Sequence, residues 1–260
     1  MNIVVCIKQV PDTTEVKLDP KTGTLIREGV KSIINPDDKS GLETALRLKE
    51  EIGAYVTVIS MGPKQAEIAL REAIAMGADR AILLCDKLFA GADTWATSST
   101  LAGAIKKLDY DLIITGRQAI DGDTAQVGVQ IAQHLDVPSI SYVEDLDICE
   151  DGLILKRVFE DGYYKMKVKT PCLITTLKEI NEPRYMRVRG IYDCFKNDKV
   201  EIWDFKDIEV DKSNIGLKGS PTKVKKSFTK GAKVAGKVFE VTPKEAAKII
   251  IEKLKEKYII

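Results

Sequence analysis

Short apolar runs alternate with amphipathic stretches through the first half of the chain. Residues 3–7, 55–60, 81–84 and 112–114 are too short for helices and end at turn residues, so they read as buried strands. Between them, 40–51, 65–76 and 94–108 carry apolar positions three and four apart, as helices covering a sheet do. Gly53 and Gly77 end the first two, and Asp93 is placed to cap the third. This strand–helix alternation predicts an α/β fold, a doubly wound, mostly parallel sheet with right-handed crossovers and all strand C-terminal ends along one edge. A hairpin is expected between 16–18 and 25–27, turned by Asp19-Pro20-Lys21-Thr22-Gly23. Beyond Pro138 the pattern becomes antiparallel: 146–149, 153–158 and 163–168 are strand-like and joined by Asp151-Gly152 and Asp161-Gly162. Residues 171–175 look buried again and are expected to rejoin the main sheet. From 212 to 237 lysine, glycine and serine dominate without a period, which reads as a linker or extended arm. The chain then closes with a well-specified helix: Thr242 at the cap, Pro243 at the first helical position, Glu245 completing a capping box, and a stripe of Ala247, Ile250, Ile251, Leu254 and Tyr258. The expected organisation is an α/β domain over 1–195 and an arm plus terminal helix over 196–260.

The stretch from Asp111 to Leu135 joins a buried strand, a loop containing Gly116 and Gly122, and a helix with Val127, Ile131 and Leu135 on one face. Asp123 or Thr124 is the expected N-cap. A strand, a glycine-bearing loop and a helix N-terminus together can bind an anion, because free backbone N–H groups and the helix dipole converge there. The pattern is neither the dinucleotide fingerprint nor a P-loop, so an ordinary βα turn fits it equally.

Composition narrows the chemistry. With 260 residues and 44% hydrophobic content the chain can bury a large core. A net charge of +1 implies no general attraction to nucleic acid or membrane. The N-terminus enters an apolar strand without a basic region, and no apolar run approaches a bilayer span, so a cytoplasmic protein is expected. The five cysteines form no C-x-x-C pair, and Cys6, Cys85 and Cys172 sit in or beside strand runs as small hydrophobes. His134 is the sole histidine and is expected near a helix C-terminus, so neither a histidine triad nor a multi-histidine metal site is available. Arg117 could neutralise a phosphate or form a surface salt bridge. Asn35-Pro36-Asp37-Asp38 could bond an adenosine or cap a helix. Phosphate at the central loop must be held by backbone N–H groups, with Asp121 and Asp123 turned aside. An ATP-cleaving enzyme is disfavoured because Lys8-Gln9-Val10-Pro11-Asp12 occupies the place of its phosphate loop.

Several segments together carry a family resemblance: Val5-Cys6-Ile7-Lys8-Gln9-Val10, Ile34-Asn35-Pro36-Asp37, Met76-Gly77-Ala78-Asp79-Arg80, Gly116-Arg117-Gln118-Ala119-Ile120-Asp121-Gly122-Asp123 and Asn181-Glu182-Pro183-Arg184-Tyr185. The chain resembles the β subunit of an electron transfer flavoprotein over nearly its whole length. The family signature from Arg157 to Thr175 matches in outline, with Tyr164 where an acid or amide is usual. The resemblance implies a Rossmann-like sheet of the adenine-nucleotide-binding type and a heterodimer with an FAD-carrying α subunit. It puts nucleotide contacts on Cys6, on Asn35, Pro36, Asp37 and Asp38, and on Met61. The remaining contacts would fall on Gly116, Arg117, Gln118, Ala119, Ile120, Asp121, Gly122, Asp123, Thr124, Ala125, Gln126 and Val127. Ordinary members hold structural AMP there, and electron-bifurcating members a second FAD. The run from Asp121 to Gly128 resembles the bifurcating form, since Gly122 and Ala125 leave room where ordinary members carry a bulkier, more acidic loop.

The resemblance thus implies FAD in this subunit and NADH as donor. One electron would go to ferredoxin or flavodoxin and the other, through the α subunit, to an acyl-CoA dehydrogenase-type or other flavin dehydrogenase in anaerobic metabolism. No catalytic residue and no metal are expected. The family's recognition loop falls on 187–193, so Arg187, Val188, Arg189, Gly190 and Ile191 are the expected docking residues. Val188, smaller than the family's leucine anchor, implies a different partner. The C-terminal arm and helix would wrap the α subunit. The competing expectations are a non-bifurcating β subunit holding AMP, and a nucleotide sensor that merely shares the sheet.

Overall fold

The structure, a computed structural model, describes residues 1–12, 31–196, 199–223 and 236–260. The chain divides into two compact units, Met1–Lys225 and Lys226–Ile260. In the first, β1 (Asn2–Cys6) leads through the short strands β2 (Gln9–Pro11) and β3 (Ser32–Ile34) to helix α1 (Pro36–Ile52). Then follow β4 (Tyr55–Met61), α2 (Glu67–Met76), β5 (Arg80–Leu84), α3 (Thr94–Ile105), β6 (Leu112–Gly116) and α4 (Val127–Leu135). The antiparallel excursion is β7 (Ser139–Cys149), β8 (Gly152–Phe159) and β9 (Gly162–Val168), and β10 (Cys172–Thr176) returns to the sheet interior. Helix α5 (Val188–Lys196), strand β11 (Val200–Trp203) and the short α6 (Gly216–Gly219) complete the unit.

The main sheet has the order β11-β5-β4-β1-β6-β10-β7-β8-β9. It is parallel from β11 to β7 and antiparallel through the β7-β8-β9 meander. Its central strands are apolar on both faces, as a parallel sheet covered on both sides requires. Ile3, Val5, Val56, Val58, Leu112 and Ile114 pack with α1 and α2 on one face. Val4, Ile59, Ile82, Ile113 and Leu173 pack with α3 and α4 on the other. The chain first winds outward from β1 to β4 and β5, and α3 then carries it back across to β6. That reversal places a topological switch point between β1 and β6, where ligands of open α/β sheets bind.

Several expectations are corrected. The first helix starts at Pro36 rather than near Ser40, so of the two roles open to Asn35-Pro36-Asp37-Asp38 the structure shows the helix start: Asn35 stands at the N-cap and Pro36 is the first helical residue. Helix α4 begins at Val127 with Gln126 at its cap, not at Asp123 or Thr124, because Asp123 and Ala125 adopt left-handed φ of 53° and 52° and interrupt helical geometry. β11 pairs in parallel with β5, and the compact unit reaches Lys225, so residues 200–225 belong with the α/β domain rather than with an arm starting at 196. The start of the supposed linker is folded as well, with Ile215 buried in the α3-side core. The expected hairpin at 16–18 and 25–27 lies outside the described residues.

In the second unit the described structure is α7 (Pro243–Glu256), with Glu245 closing back onto the Thr242 N–H at 3.0 Å. Ile250 and Ile251 of its apolar stripe are exposed. Among the described residues, no helix is long and apolar enough to cross a membrane.

Candidate functional site

A cavity of about 790 Å³ opens at the switch point, lined by the C-terminal ends of β1, β4 and β6, the loops that follow these strands and β5, and the first residues of α4. Its volume lies in the upper part of the range for small-molecule sites. Of the residues singled out from sequence, Cys6, Asp38, Met61, Gly116, Arg117, Gln118 and Ala119 line it. Gly122, Thr124, Ala125, Gln126 and Val127 line it too. Asn35, Pro36, Asp37, Ile120, Asp121 and Asp123 do not line it, and several of these shape it from behind.

The bracing begins at Asn35, which is fully buried. Its amide donates to the Gln118 carbonyl at 2.8 Å and accepts from the Ile120 N–H at 3.1 Å, holding the loop after β6 onto the start of α1. Asp121 is neutralised by Lys8 at 2.6 Å, and Asp123 accepts from the Gln118 side chain at 2.6 Å. Both carboxylates are therefore occupied within the protein. The Ala119 carbonyl accepts the Asp123 N–H at 2.9 Å, which tightens the turn at Gly122. A Cβ built on Gly122 would meet nothing within 4 Å, so the protein itself makes no use of the space there.

Asp38 ties two strands together at the cavity wall. Its carboxyl accepts the Lys8 N–H at 2.8 Å and the Gly116 N–H at 2.9 Å. Burial outweighs these bonds and pushes its pKa up to about 7. A side chain at Gly116 would put a Cβ 2.2 Å from Asp38 Oδ1, so only glycine allows β6 to end there. Burial, with the Asp38 charge beside it, raises the Cys6 thiol far above its usual value and keeps it a neutral wall atom. Burial also raises Asp37, against the pull of Arg117 at 3.5 Å. Arg117 itself is half-exposed, and its Nε has no hydrogen-bond partner. With Lys8, Lys64 and Lys87 it brings basic side chains to a cavity that Asp38, Asp86 and Asp93 also line.

One wall carries no sequence motif. Cys85, Asp86, Lys87 and residues 89–94 line the cavity, as do Thr97 and Leu101 of α3 and residues 62–64 after β4. The topology alone could have found them: in a parallel sheet, the loops after β4 and β5 emerge on the same edge as the loop after β6. His134 lies in the last turn of α4, edge-on to Trp95 at 4.7 Å and 3.2 Å from Ser98 Oγ, and does not line the cavity. Among the described residues no cluster of acidic, cysteine or histidine side chains could hold a metal ion.

The residues expected to dock a partner are not in a loop. Arg187 precedes α5, and Val188 to Ile191 form its first turn. Arg184 anchors the approach by gripping Glu43 (2.8 and 3.1 Å) and Glu50 (2.5 and 3.0 Å) on α1. Gly190 faces α2, where a Cβ would come 2.6 Å from the Ala75 carbonyl oxygen. Val188 is 84% exposed, Arg189 is exposed, and Ile191 lies at the boundary of exposure. Tyr185, Tyr192 and Phe195, outside the docking set expected from sequence, are also exposed.

Comparison with known proteins matches residues 22–206 to the family described as "Electron transfer flavoprotein domain". The chain is 60% identical over 260 residues to the electron transfer flavoprotein subunit beta of Clostridium acetobutylicum, covering all of both chains. It is 55% identical over 263 residues to subunit CarD of the caffeyl-CoA reductase-Etf complex of Acetobacterium woodii, again covering all of both. It is 47% identical over 270 residues to the acryloyl-CoA reductase electron transfer subunit gamma of Anaerotignum propionicum, with complete coverage on both sides. A doubly wound sheet, a switch-point cavity built on the Gly116–Val127 loop, and full-length similarity at this level agree: the chain belongs to the electron transfer flavoprotein family, among its β subunits.

Proposed function

We propose that the cavity holds FAD and that the chain is the β subunit of an electron-bifurcating electron transfer flavoprotein. The observation that carries this reading is the space the protein leaves open: a cavity of about 790 Å³ with Gly122 facing into it. FAD has more than twice the non-hydrogen atoms of AMP, and the second wall, from Cys85 to Thr94, extends the cavity well beyond the loop after β6. Two of the relatives above are named as subunits of reductase assemblies, which fits a chain that serves a dedicated partner.

The chain's own part is binding and exclusion. Backbone donors of the 117–126 loop and the start of α4 receive phosphate, with Arg117, Lys64 and Lys87 supplying charge. Cys6, Met61, Phe89 and Leu101 provide an apolar wall that keeps water from a flat ring system. The bound flavin would accept hydride from NADH and release its electrons singly, one to ferredoxin or flavodoxin and one through the α-subunit FAD to a flavin-dependent dehydrogenase. The exposed face of α5 docks that dehydrogenase, and residues 226–260 wrap the α subunit. In the AMP-binding alternative this subunit is a scaffold and conducts nothing.

The test is equilibrium dialysis, against FAD and against AMP, of the complex that keeps its α-subunit FAD but has been emptied of nucleotide in this subunit, with wild type and Gly122→Glu. The open space at Gly122 lets the glutamate fold without a clash, checked by circular dichroism, while it takes up room that the larger FAD would need. Preferential FAD binding that Gly122→Glu abolishes supports the reading. Preferential AMP binding, or FAD binding unchanged by the substitution, overturns it.

A further inference from the structure

The second wall of the cavity is held in place by a segment remote in sequence. Residues 215–222 run along the back of the loop between β5 and α3. Ile215 anchors them in the core. Gly216 adopts a φ of +57°, and a Cβ there would fall 2.0 Å from the Leu88 carbonyl oxygen, so the two backbones meet without room for a side chain. The Leu217 N–H donates to the Ala90 carbonyl at 3.0 Å. Ser220 Oγ, buried, accepts the Asp93 N–H at 2.8 Å and donates to the Gly216 carbonyl at 2.8 Å. Thr222 then donates to Asp93 Oδ2 twice, from its N–H at 2.9 Å and its hydroxyl at 2.7 Å. The other oxygen, Asp93 Oδ1, caps α3 through the Ala96 N–H at 3.0 Å. Asp93 is therefore a node, lining the cavity, starting α3 and receiving the strap through one carboxylate.

The geometry points to Ser220 and Thr222 as positioning residues for the ligand cavity: through Asp93 they set the distance between the 85–94 wall and the loop after β6, and with it nucleotide affinity. Neither residue lines the cavity, so they act only through the wall. This inference rests on the cavity holding a nucleotide.

The test uses the complex with its α-subunit FAD in place and this subunit's cavity emptied of nucleotide, with AMP and FAD as probes, by calorimetry, for wild type, Thr222→Val, Thr222→Ser and Ser220→Ala, with Tm measured for each. Thr222→Val, which deletes one charge-assisted bond, should raise Kd about five-fold or more, the lower end of ordinary coupling between sites. Thr222→Ser should restore wild-type affinity, and Ser220→Ala should weaken binding in the same direction at a Tm close to wild type. Unchanged Kd in Thr222→Val and Ser220→Ala, or a loss that Thr222→Ser fails to rescue, overturns the positioning role while leaving the nucleotide site intact. If wild type binds neither nucleotide, the reading of the cavity itself falls, and this inference with it.

Discussion

Replacing Asp38 by asparagine should remove a pH-dependent penalty from the folded protein. The Asp38 carboxyl is buried between the ends of β1 and β6, and burial pushes its pKa from the ordinary 3.8 up to about 7. Below 3.8 the group is protonated in both folded and unfolded chains and contributes no difference. Between 3.8 and 7 the unfolded chain ionises while the folded carboxyl keeps its proton, so this group lowers stability as pH rises. Above 7 the penalty is complete. The gap of roughly three decades in proton affinity corresponds to about 4 kcal/mol. The amide introduced by Asp38→Asn cannot titrate, and its imperfect match to the Lys8 and Gly116 N–H groups is the same at every pH. Urea unfolding of both proteins at intervals from about pH 4.5 to about pH 8 isolates the effect, because other titrating groups cancel in the difference. Wild-type stability relative to Asp38→Asn should fall by most of that roughly 4 kcal/mol across the range. Parallel profiles would mean that Asp38 ionises normally, and the dry wall assigned to it would be wrong.

Three further substitutions test the frame around the cavity. Gly116→Ala places a methyl 2.2 Å from Asp38 Oδ1 and should lose about 3 kcal/mol in urea unfolding; a loss too small to measure would refute the close contact. Ala125→Gly relieves a left-handed φ of 52° and should raise stability by about 0.5 kcal/mol net of glycine's greater unfolded freedom, and destabilisation would argue against that backbone. Arg184→Met leaves the buried Glu43 with the 3.2 Å contact to Arg47 and the 3.1 Å bond from the backbone N–H of residue 184, and should cost about 3 kcal/mol at neutral pH. Burial raises the Glu43 carboxyl, but the Arg184 bonds outweigh it and hold the pKa below the usual value. Wild-type advantage over Arg184→Met should therefore shrink as pH falls through that lowered pKa, and an advantage independent of pH would contradict the pairing.

The parallel sheet was legible because its strands are short, apolar and separated by helices of the right period. The cavity loop was legible as strand, glycine turn and helix. What escaped has local physical causes. Nothing in the residue types at Asp123 and Ala125 reveals their left-handed backbone, so the pattern alone starts α4 too early. β11 alternates Glu201 with apolar neighbours at a sheet edge and is only four residues long, too little for a period to register. Residues 212–222 look like a linker because one apolar side chain, Ile215, and bonds to the distant Asp93 hold them, and such pairings leave no local pattern. The wall from Cys85 to Thr94 carries no motif, and only the strand order identifies it.

The central claim is that this subunit carries a flavin at the switch point, and nucleotide content tests it most directly. The purified complex with its α subunit is denatured, and the released nucleotides are separated by chromatography and counted against protein. Two FAD per heterodimer and no AMP is the expected result. One FAD accompanied by one AMP would contradict it and make the chain a scaffold.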